Sequence, residues 1–221
     1  MTGDTIRVLL VDDQDLFREG VRIIVDAHDG MEVVATAKDG REAIGLVDKH
    51  EPDVVLMDIR MPELDGVEAT KQILRQESSR HRNRPVRIIV LTTFDLDDRA
   101  ATAIRHGASG FMLKDTTPTM LIDAIRTVHA GNAVLAPRDL STLLDAQFVA
   151  RAAPPEEFDA LTAKERDVFD AVASGYSNSE VSAHLFMSES TVKTHVGAVL
   201  RKLGLRDRVQ IVVFAYEHGI I

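Results

Sequence analysis

Four short apolar runs in the first half of the chain each stop at a polar residue, and this repeated ending constrains the fold more than any other feature. Val8-Leu9-Leu10-Val11 stops at Asp12-Asp13, Val54-Val55-Leu56-Met57 at Asp58, Ile88-Ile89-Val90-Leu91 at Thr92-Thr93, and Gly110-Phe111-Met112-Leu113 at Lys114. Short β-branched runs separated by helical patterns read as buried parallel strands. In an open α/β sheet the ligand crevice lies outside the carboxyl ends of the strands. Three carboxylates, a hydroxyl and one ammonium are therefore expected to share one crevice. Carboxylates gathered this way repel one another unless a cation sits among them, and an oxygen-rich donor set suits Mg²⁺. A Mg²⁺ beside a carboxylate nucleophile, with a hydroxyl and an ammonium to hold phosphoryl oxygens, describes phosphoryl transfer onto an aspartate. Asp58 is the expected acceptor.

Residues 6–130 alternate strand and helix five times. Strands are expected near 6–11, 32–36, 53–57, 87–91 and 110–113, and helices near 15–27, 40–49, 66–77, 97–106 and 118–130. Right-handed crossovers turn this alternation into a doubly wound five-stranded parallel sheet in the order 2-1-3-4-5. Residues 131–157 read as a linker, with an amphipathic helix near 138–150 and an exposed tether at Ala153-Pro154-Pro155-Glu156-Glu157. After it, residues 158–221 look entirely helical. Thr162-Ala163-Lys164-Glu165 and Ser177-Asn178-Ser179-Glu180 are capping boxes, and Gly175 closes the first helix. Ser188 can cap a third helix to about Leu203, with Gly204 as its stop, and residues 207–218 form a fourth. The tight turn at Met187-Ser188 makes the second and third a helix-turn-helix. The expected class is α/β followed by an all-α domain of four helices.

The chain has no cysteine, which excludes disulfides, zinc–thiolate sites and a cysteine nucleophile. Asp12-Asp13 interrupts the first apolar run, leaving no secretory h-region, and no apolar stretch reaches the roughly 18–20 residues that span a bilayer. A cytoplasmic location is the expectation. The net charge of −9 argues against nucleic-acid binding only if it is evenly spread, and it is not. Between Thr191 and Arg208 stand Lys193, Arg201, Lys202, Arg206 and Arg208 against the single acid Asp207. A local basic helix is the electrostatic footprint that DNA requires.

The residues Val11-Asp12-Asp13, Met57-Asp58-Ile59-Arg60-Met61-Pro62, Leu64-Asp65-Gly66, Leu91-Thr92 and Gly107 to Asp115 together resemble the receiver domain of bacterial response regulators. The segments Leu161 to Arg166, Gly175 to Val181, Ser188 to Val196 and Arg201-Lys202-Leu203-Gly204 resemble the LuxR-type DNA-binding domain. The combination is similar to the NarL/FixJ family of response regulators. The resemblance implies that Asp13 binds Mg²⁺ directly, Asp12 through a water, and that Asp58 and the backbone carbonyl of Arg60 complete the protein ligands. It implies that the Thr92 hydroxyl and Lys114 contact the phosphoryl group, that Thr93 shapes the site through its backbone, and that Phe111 is a rotamer switch coupled to Thr92. The partners it implies are a sensor histidine kinase, double-stranded DNA and a second copy of the phosphorylated chain, with RNA polymerase open as a further one. In this family the unmodified receiver often covers the recognition helix. No catalysis beyond phosphotransfer to Asp58 and autodephosphorylation there is expected.

Plainer readings stand beside these. Asp12 and Asp13 could merely cap the following helix, Asp58 could be a turn residue before Met61-Pro62, Thr92 a strand terminus, Lys114 a solvated strand end and Phe111 core. The basic run Arg80-His81-Arg82-Asn83-Arg84 lengthens the loop before the fourth strand and reads as a solvated loop, with a partner surface as the alternative. In the recognition helix, Val192, Val196, Val199 and Leu203 follow core spacing, so Lys193, Thr194 and Gly197 face outward. Lys193 suits guanine edges, and Thr194 a thymine methyl or base edge. Gly197 stands where related proteins often carry a longer polar side chain. Thr191, Arg201 and Lys202 are placed for phosphates, and His195 for either DNA or the core. Val209, Val212, Val213 and Tyr216 of the last helix are the expected dimer surface. A Mg²⁺-dependent phosphohydrolase of the haloacid dehalogenase type would need a second acid two residues after the nucleophile; that position is Arg60. A DNA-binding protein with a vestigial receiver would not need the intact Asp12, Asp13, Asp58, Thr92 and Lys114 set.

Overall fold

Ile6–Val11 (β1), Met31–Ala37 (β2), Val54–Asp58 (β3), Arg87–Thr92 (β4) and Gly110–Leu113 (β5) pair in parallel in the order β2-β1-β3-β4-β5. The computed structural model describes residues 5–78, 85–93, 98–132 and 154–221, which divide into an N-terminal and a C-terminal unit. The sheet order is the expected one. Asp15–Asp26 (α1), Gly40–His50 (α2), Gly66–Ser78 (α3), Asp98–Arg105 (α4) and Pro118–His129 (α5) connect and follow the strands.

Both faces of the sheet are covered, which is why its strands are continuously apolar rather than alternating. Val8, Leu10, Leu56, Ile89, Leu91 and Met112 pack in one core with Val21 and Val25 of α1 and Leu121, Ile125 and Val128 of α5. The alternate residues Leu9, Val55, Met57, Ile88 and Val90 are buried on the other face. The Thr117 hydroxyl caps α5 by accepting from the Met120 N–H, with Pro118 at the first helical position, where its missing N–H costs nothing.

Two glycines set the approach of α3 to the strand ends. A Cβ on Gly66 would lie 1.9 Å from the Asp58 carbonyl oxygen, and one on Gly40 would lie 2.6 Å from the Leu64 carbonyl oxygen. Gly66 N–H donates to the Ile59 carbonyl (3.0 Å) and Gly40 N–H to that of Leu64 (3.0 Å). The loop from Asp58 to Gly66 is thereby pinned at both sides.

The C-terminal unit contains Glu156–Asp159 (α6), Ala163–Ala173 (α7), Asn178–Leu185 (α8), Glu189–Lys202 (α9) and Arg208–Glu217 (α10). Both capping boxes form, and Ser188 and Asp207 cap α9 and α10. Four helices were expected, and α6 is an addition. The tether reading assigned Glu156 and Glu157 to irregular chain; they belong to α6 because Phe158 is drawn into the core, its ring 5.1 Å from Phe169 and 6.0 Å from Phe214. The unit accordingly starts before residue 158. The helix expected near 138–150 and the loop Arg80–Arg84 lie outside the described residues.

The turn between α8 and α9 is left-handed at Phe186 (φ 52°, ψ 47°), a conformation that favours glycine, and the ring is 96% exposed. Ser182 holds it, accepting the Met187 N–H (3.1 Å) and donating its hydroxyl to the Met187 carbonyl (2.6 Å).

These two places predict opposite outcomes. Gly66→Ala should destabilise by on the order of 1–3 kcal/mol, because the methyl meets backbone that cannot yield. Phe186→Gly should stabilise by about 0.5–1 kcal/mol, since relief of the left-handed cost exceeds the glycine's added unfolded-state entropy. Urea unfolding of each variant checks both signs.

Candidate functional sites

The pairing of β1 with β3, β3 with β4 and β4 with β5 brings four strand ends together. Asp12 is 2% and Asp58 4% exposed, Thr92 is buried, and Asp13 is exposed. The carboxylate oxygens of Asp12, Asp13 and Asp58 lie within 4.8 Å of one another. Lys114 Nζ sits 2.6 Å from Asp12 Oδ2 and 2.8 Å from Asp58 Oδ2, with its side chain 7% exposed. Its backbone N–H donates to the Thr92 carbonyl (2.7 Å), tying the ends of β4 and β5.

The plain capping reading of the acidic pair fails. The N-cap of α1 is Gln14, with no side-chain cap, and Asp12 Oδ1 instead accepts the Gln14 N–H at 2.9 Å. Asp12 Oδ2 is buried against the Lys114 ammonium, 2.6 Å away. Three carboxylates facing one ammonium leave the crevice with negative charge to spare. That is a fit for a hard cation with oxygen ligands. Arg60 lies at the lip, exposed, its N–H donating to Asp58 Oδ1 at 3.3 Å.

Electrostatics raise both central groups. Burial pushes the Asp58 carboxyl above its ordinary value; Lys114 offsets this in part, and the like charge of Asp12 adds to the rise. Burial pulls the Lys114 ammonium down, but its bonds to Asp12 and Asp58 outweigh this and leave it above its ordinary value. Both shifts act in the same sense at neutral pH: the ammonium stays charged while the Asp58 charge is costly.

Phe111 is buried on the face of β5 opposite to Met112. Register pairs Val90 with Phe111 and Thr92 with Leu113, so Phe111 and Thr92 share a face one rung apart. Thr93 is exposed. Two neighbours escaped the sequence reading. The Phe17 ring lies 4.9 Å from Lys114 Nζ, and Arg18 bonds the Asp12 carbonyl and Asp15. Both sit on α1, where helical spacing shows a face but not what lies across from it.

In the C-terminal unit, Val192 and Val199 are buried and Val196 and Leu203 pack against the same core. Thr191, Lys193, Thr194, Gly197 and Arg201 are exposed, and His195 is half-buried. Lys202 is a correction. Its ammonium bonds Glu165 Oε2 (2.6 Å) and the Ala160 carbonyl (3.0 Å), so it locks α9 to α7 rather than reaching for phosphate. Lys202, together with the Thr162 N–H, holds the Glu165 carboxyl down at about 2. That contribution is present above the ordinary carboxylate value and is lost only as pH falls through about 2. Arg208 also leaves the basic footprint: it is buried and bonds the Tyr176 carbonyl and Asn178 Oδ1, with burial lowering its pKa to about 10. Of the expected dimer surface, Val209, Val212 and Val213 are buried and Tyr216 is half-buried, so these residues present no open apolar face.

The crevice predicts a pH-dependent gain. Asp58→Asn should raise the melting temperature in Mg²⁺-free buffer at neutral pH, at about 2–4 °C for each kcal/mol recovered. Because the folded Asp58 pKa is raised, wild type regains stability on acidification, so the gain should fade as pH drops through that range. Added Mg²⁺ should stabilise wild type more than the variant. A melting series in pH and Mg²⁺ measures all three.

Comparison with known proteins agrees with this geometry. Residues 8–126 match the response regulator receiver domain, and residues 159–215 match the bacterial regulatory proteins of the luxR family. The chain is 40% identical to the uncharacterized transcriptional regulatory protein YxjL of Bacillus subtilis, over 100% of both chains. It is 35% identical to a nitrate/nitrite response regulator protein homolog of Haemophilus influenzae, over 98% of this chain and 99% of that one. Among solved structures it is similar to the response regulator ChrA of a heme-sensing two-component system, with 32% identity, a TM-score of 0.53, and coverage of 99% of this chain and 100% of that one. Among the described residues no helix is long and apolar enough to cross a membrane. With a receiver domain in residues 8–126 and a LuxR-type domain in residues 159–215, the chain belongs to the NarL/LuxR family of transcriptional response regulators.

Proposed function

We propose that Asp58 accepts a phosphoryl group from a sensor histidine kinase, and that this modification controls pairing and sequence-specific DNA binding through α9. The observation that carries the reading is the buried Lys114 ammonium shared between Asp12 and Asp58. A cation held there neutralises an acceptor carboxylate at rest and is in place to follow new phosphoryl oxygens. An Asp58 oxygen attacks phosphorus as the phosphohistidine P–N bond breaks, and the imidazole leaves.

Asp13 and Asp58 would hold Mg²⁺ directly, Asp12 through a water and Arg60 through its carbonyl. When bound, the ion supplies positive charge for the crowded oxygens of nucleophile and phosphoryl group. Thr92, at the adjacent strand end, donates its hydroxyl to a phosphoryl oxygen. Phe111, one rung back on the same face, responds to that movement, while Thr93 shapes the loop through its backbone. Aspartyl phosphate adds about one to two negative charges at a site that already strains to hold Asp58 ionised.

The output half of the reading rests on the LuxR-type domain. Lys193 reads base edges, while Thr191 and Arg201 contact phosphates and orient the helix. Pairing through Val209, Val212, Val213 and Tyr216 requires a change that uncovers them, which makes dimerisation state-dependent. RNA polymerase is a further partner for a regulator that works at promoters.

Acceptor identity is tested by incubating the full chain with Mg²⁺ and acetyl phosphate and locating the modification by mass spectrometry. Asp58 should be modified alone, Asp58→Asn should abolish the reaction, and Asp13→Ala should slow it strongly through loss of the metal. Undiminished phosphorylation of the Asp58→Asn chain would contradict the proposal.

A further inference from the structure

Gly197 lies in the middle of α9, where glycine costs about 1 kcal/mol relative to alanine. Nothing among the described residues asks for it: a Cβ built there meets no atom within 4 Å beyond its own stretch of helix backbone, and its backbone is ordinary helix. Its neighbours on the exposed face are Lys193 and Arg201, one turn away on either side, and Thr194 at the i−3 position. The Thr194 hydroxyl is already used, donating to the Ser190 carbonyl at 3.0 Å. The hydroxyl is thus turned onto the helix backbone, and the γ-methyl is the part of Thr194 left for a partner. The face presents a cation, a methyl group, a bare stretch of backbone and a second cation.

We propose that Thr194 and Gly197 form a thymine-reading notch, in which the 5-methyl of a thymine in the major groove rests on the Thr194 γ-methyl and fills the space over Gly197. The inference rests on the DNA-facing reading of α9 and deepens it by naming the base. Apolar contact with the thymine methyl is a means of readout in a groove where that group is unique to one base. The flanking cations explain how a methyl-sized contact is aligned: Arg201 fixes the helix against a phosphate and Lys193 takes a neighbouring base edge, so the notch meets one base pair in a set register.

The test uses the full-length chain treated with beryllofluoride and Mg²⁺. A preferred site is first selected from a random duplex library. Each thymine in it is then replaced singly by deoxyuridine, which deletes only the 5-methyl. One replacement in each half-site should weaken binding about three- to fivefold, the effect of losing one buried methyl. Thr194→Ser keeps the hydroxyl and should erase that difference. Thr194→Val keeps the methyl and should preserve it. Gly197→Gln fills the notch on an exposed helix position and should also erase it, changing the selected base. Specific binding with no deoxyuridine effect at any thymine, or a Thr194→Ser chain that retains the effect, overturns the notch while leaving α9 as the DNA-facing helix. A treated chain that selects no sequence overturns both.

Discussion

The contact on which the N-terminal unit turns is the Lys114 ammonium lodged between two buried carboxylates. An isolated ammonium or carboxylate would cost several kcal/mol in that setting. Each is tolerable because strand order brings the ends of β1, β3 and β5 to one point. The arrangement balances only one of three carboxylates. Burial makes Asp58 a costly anion, the like charge of Asp12 adds to that cost, and the excess negative charge suits a cation that takes oxygen ligands.

The same economy of charge divides the C-terminal unit. Five basic residues cluster in sequence around α9, and four of them separate into two jobs. Lys202 and Arg208 turn inward, one to Glu165 and the Ala160 carbonyl, the other to Asn178 and the Tyr176 carbonyl. They fix α9 and α10 against α7 and the start of α8. Lys193 and Arg201 remain outside, on the face that includes Thr194 and Gly197. The cation in the last turn of α9 thus ties that helix to α7.

Much of this was legible in the chain. Strand endings located the crevice because parallel topology forces their convergence, and the capping boxes at Thr162 and Ser177 placed two helix starts to the residue. What escaped depends on long-range partners. Lys202 looks like a phosphate contact until Glu165, thirty-seven residues away, is seen beside it. Glu156 and Glu157 look like tether because nothing local shows Phe158 entering a ring cluster with Phe169 and Phe214. The last helix read as an apolar surface, but seven of its ten residues are buried, which periodicity alone could not distinguish from an exposed stripe. Phe186 is the reverse case: sequence preference argues for glycine in that turn, and the phenylalanine is there nonetheless, left-handed and exposed.

The central claim joins the two units: charge added at Asp58 changes the population of chains competent to bind DNA. The direct measurement is DNA affinity at one salt concentration for the untreated chain, the beryllofluoride-treated chain and treated Asp58→Asn. If the competent form is about 1% of the resting population, treatment should tighten binding by roughly a hundredfold, and Asp58→Asn should not respond. Equal affinity of the treated and untreated chains would show that the crevice does not govern the helix-turn-helix, and would contradict the account.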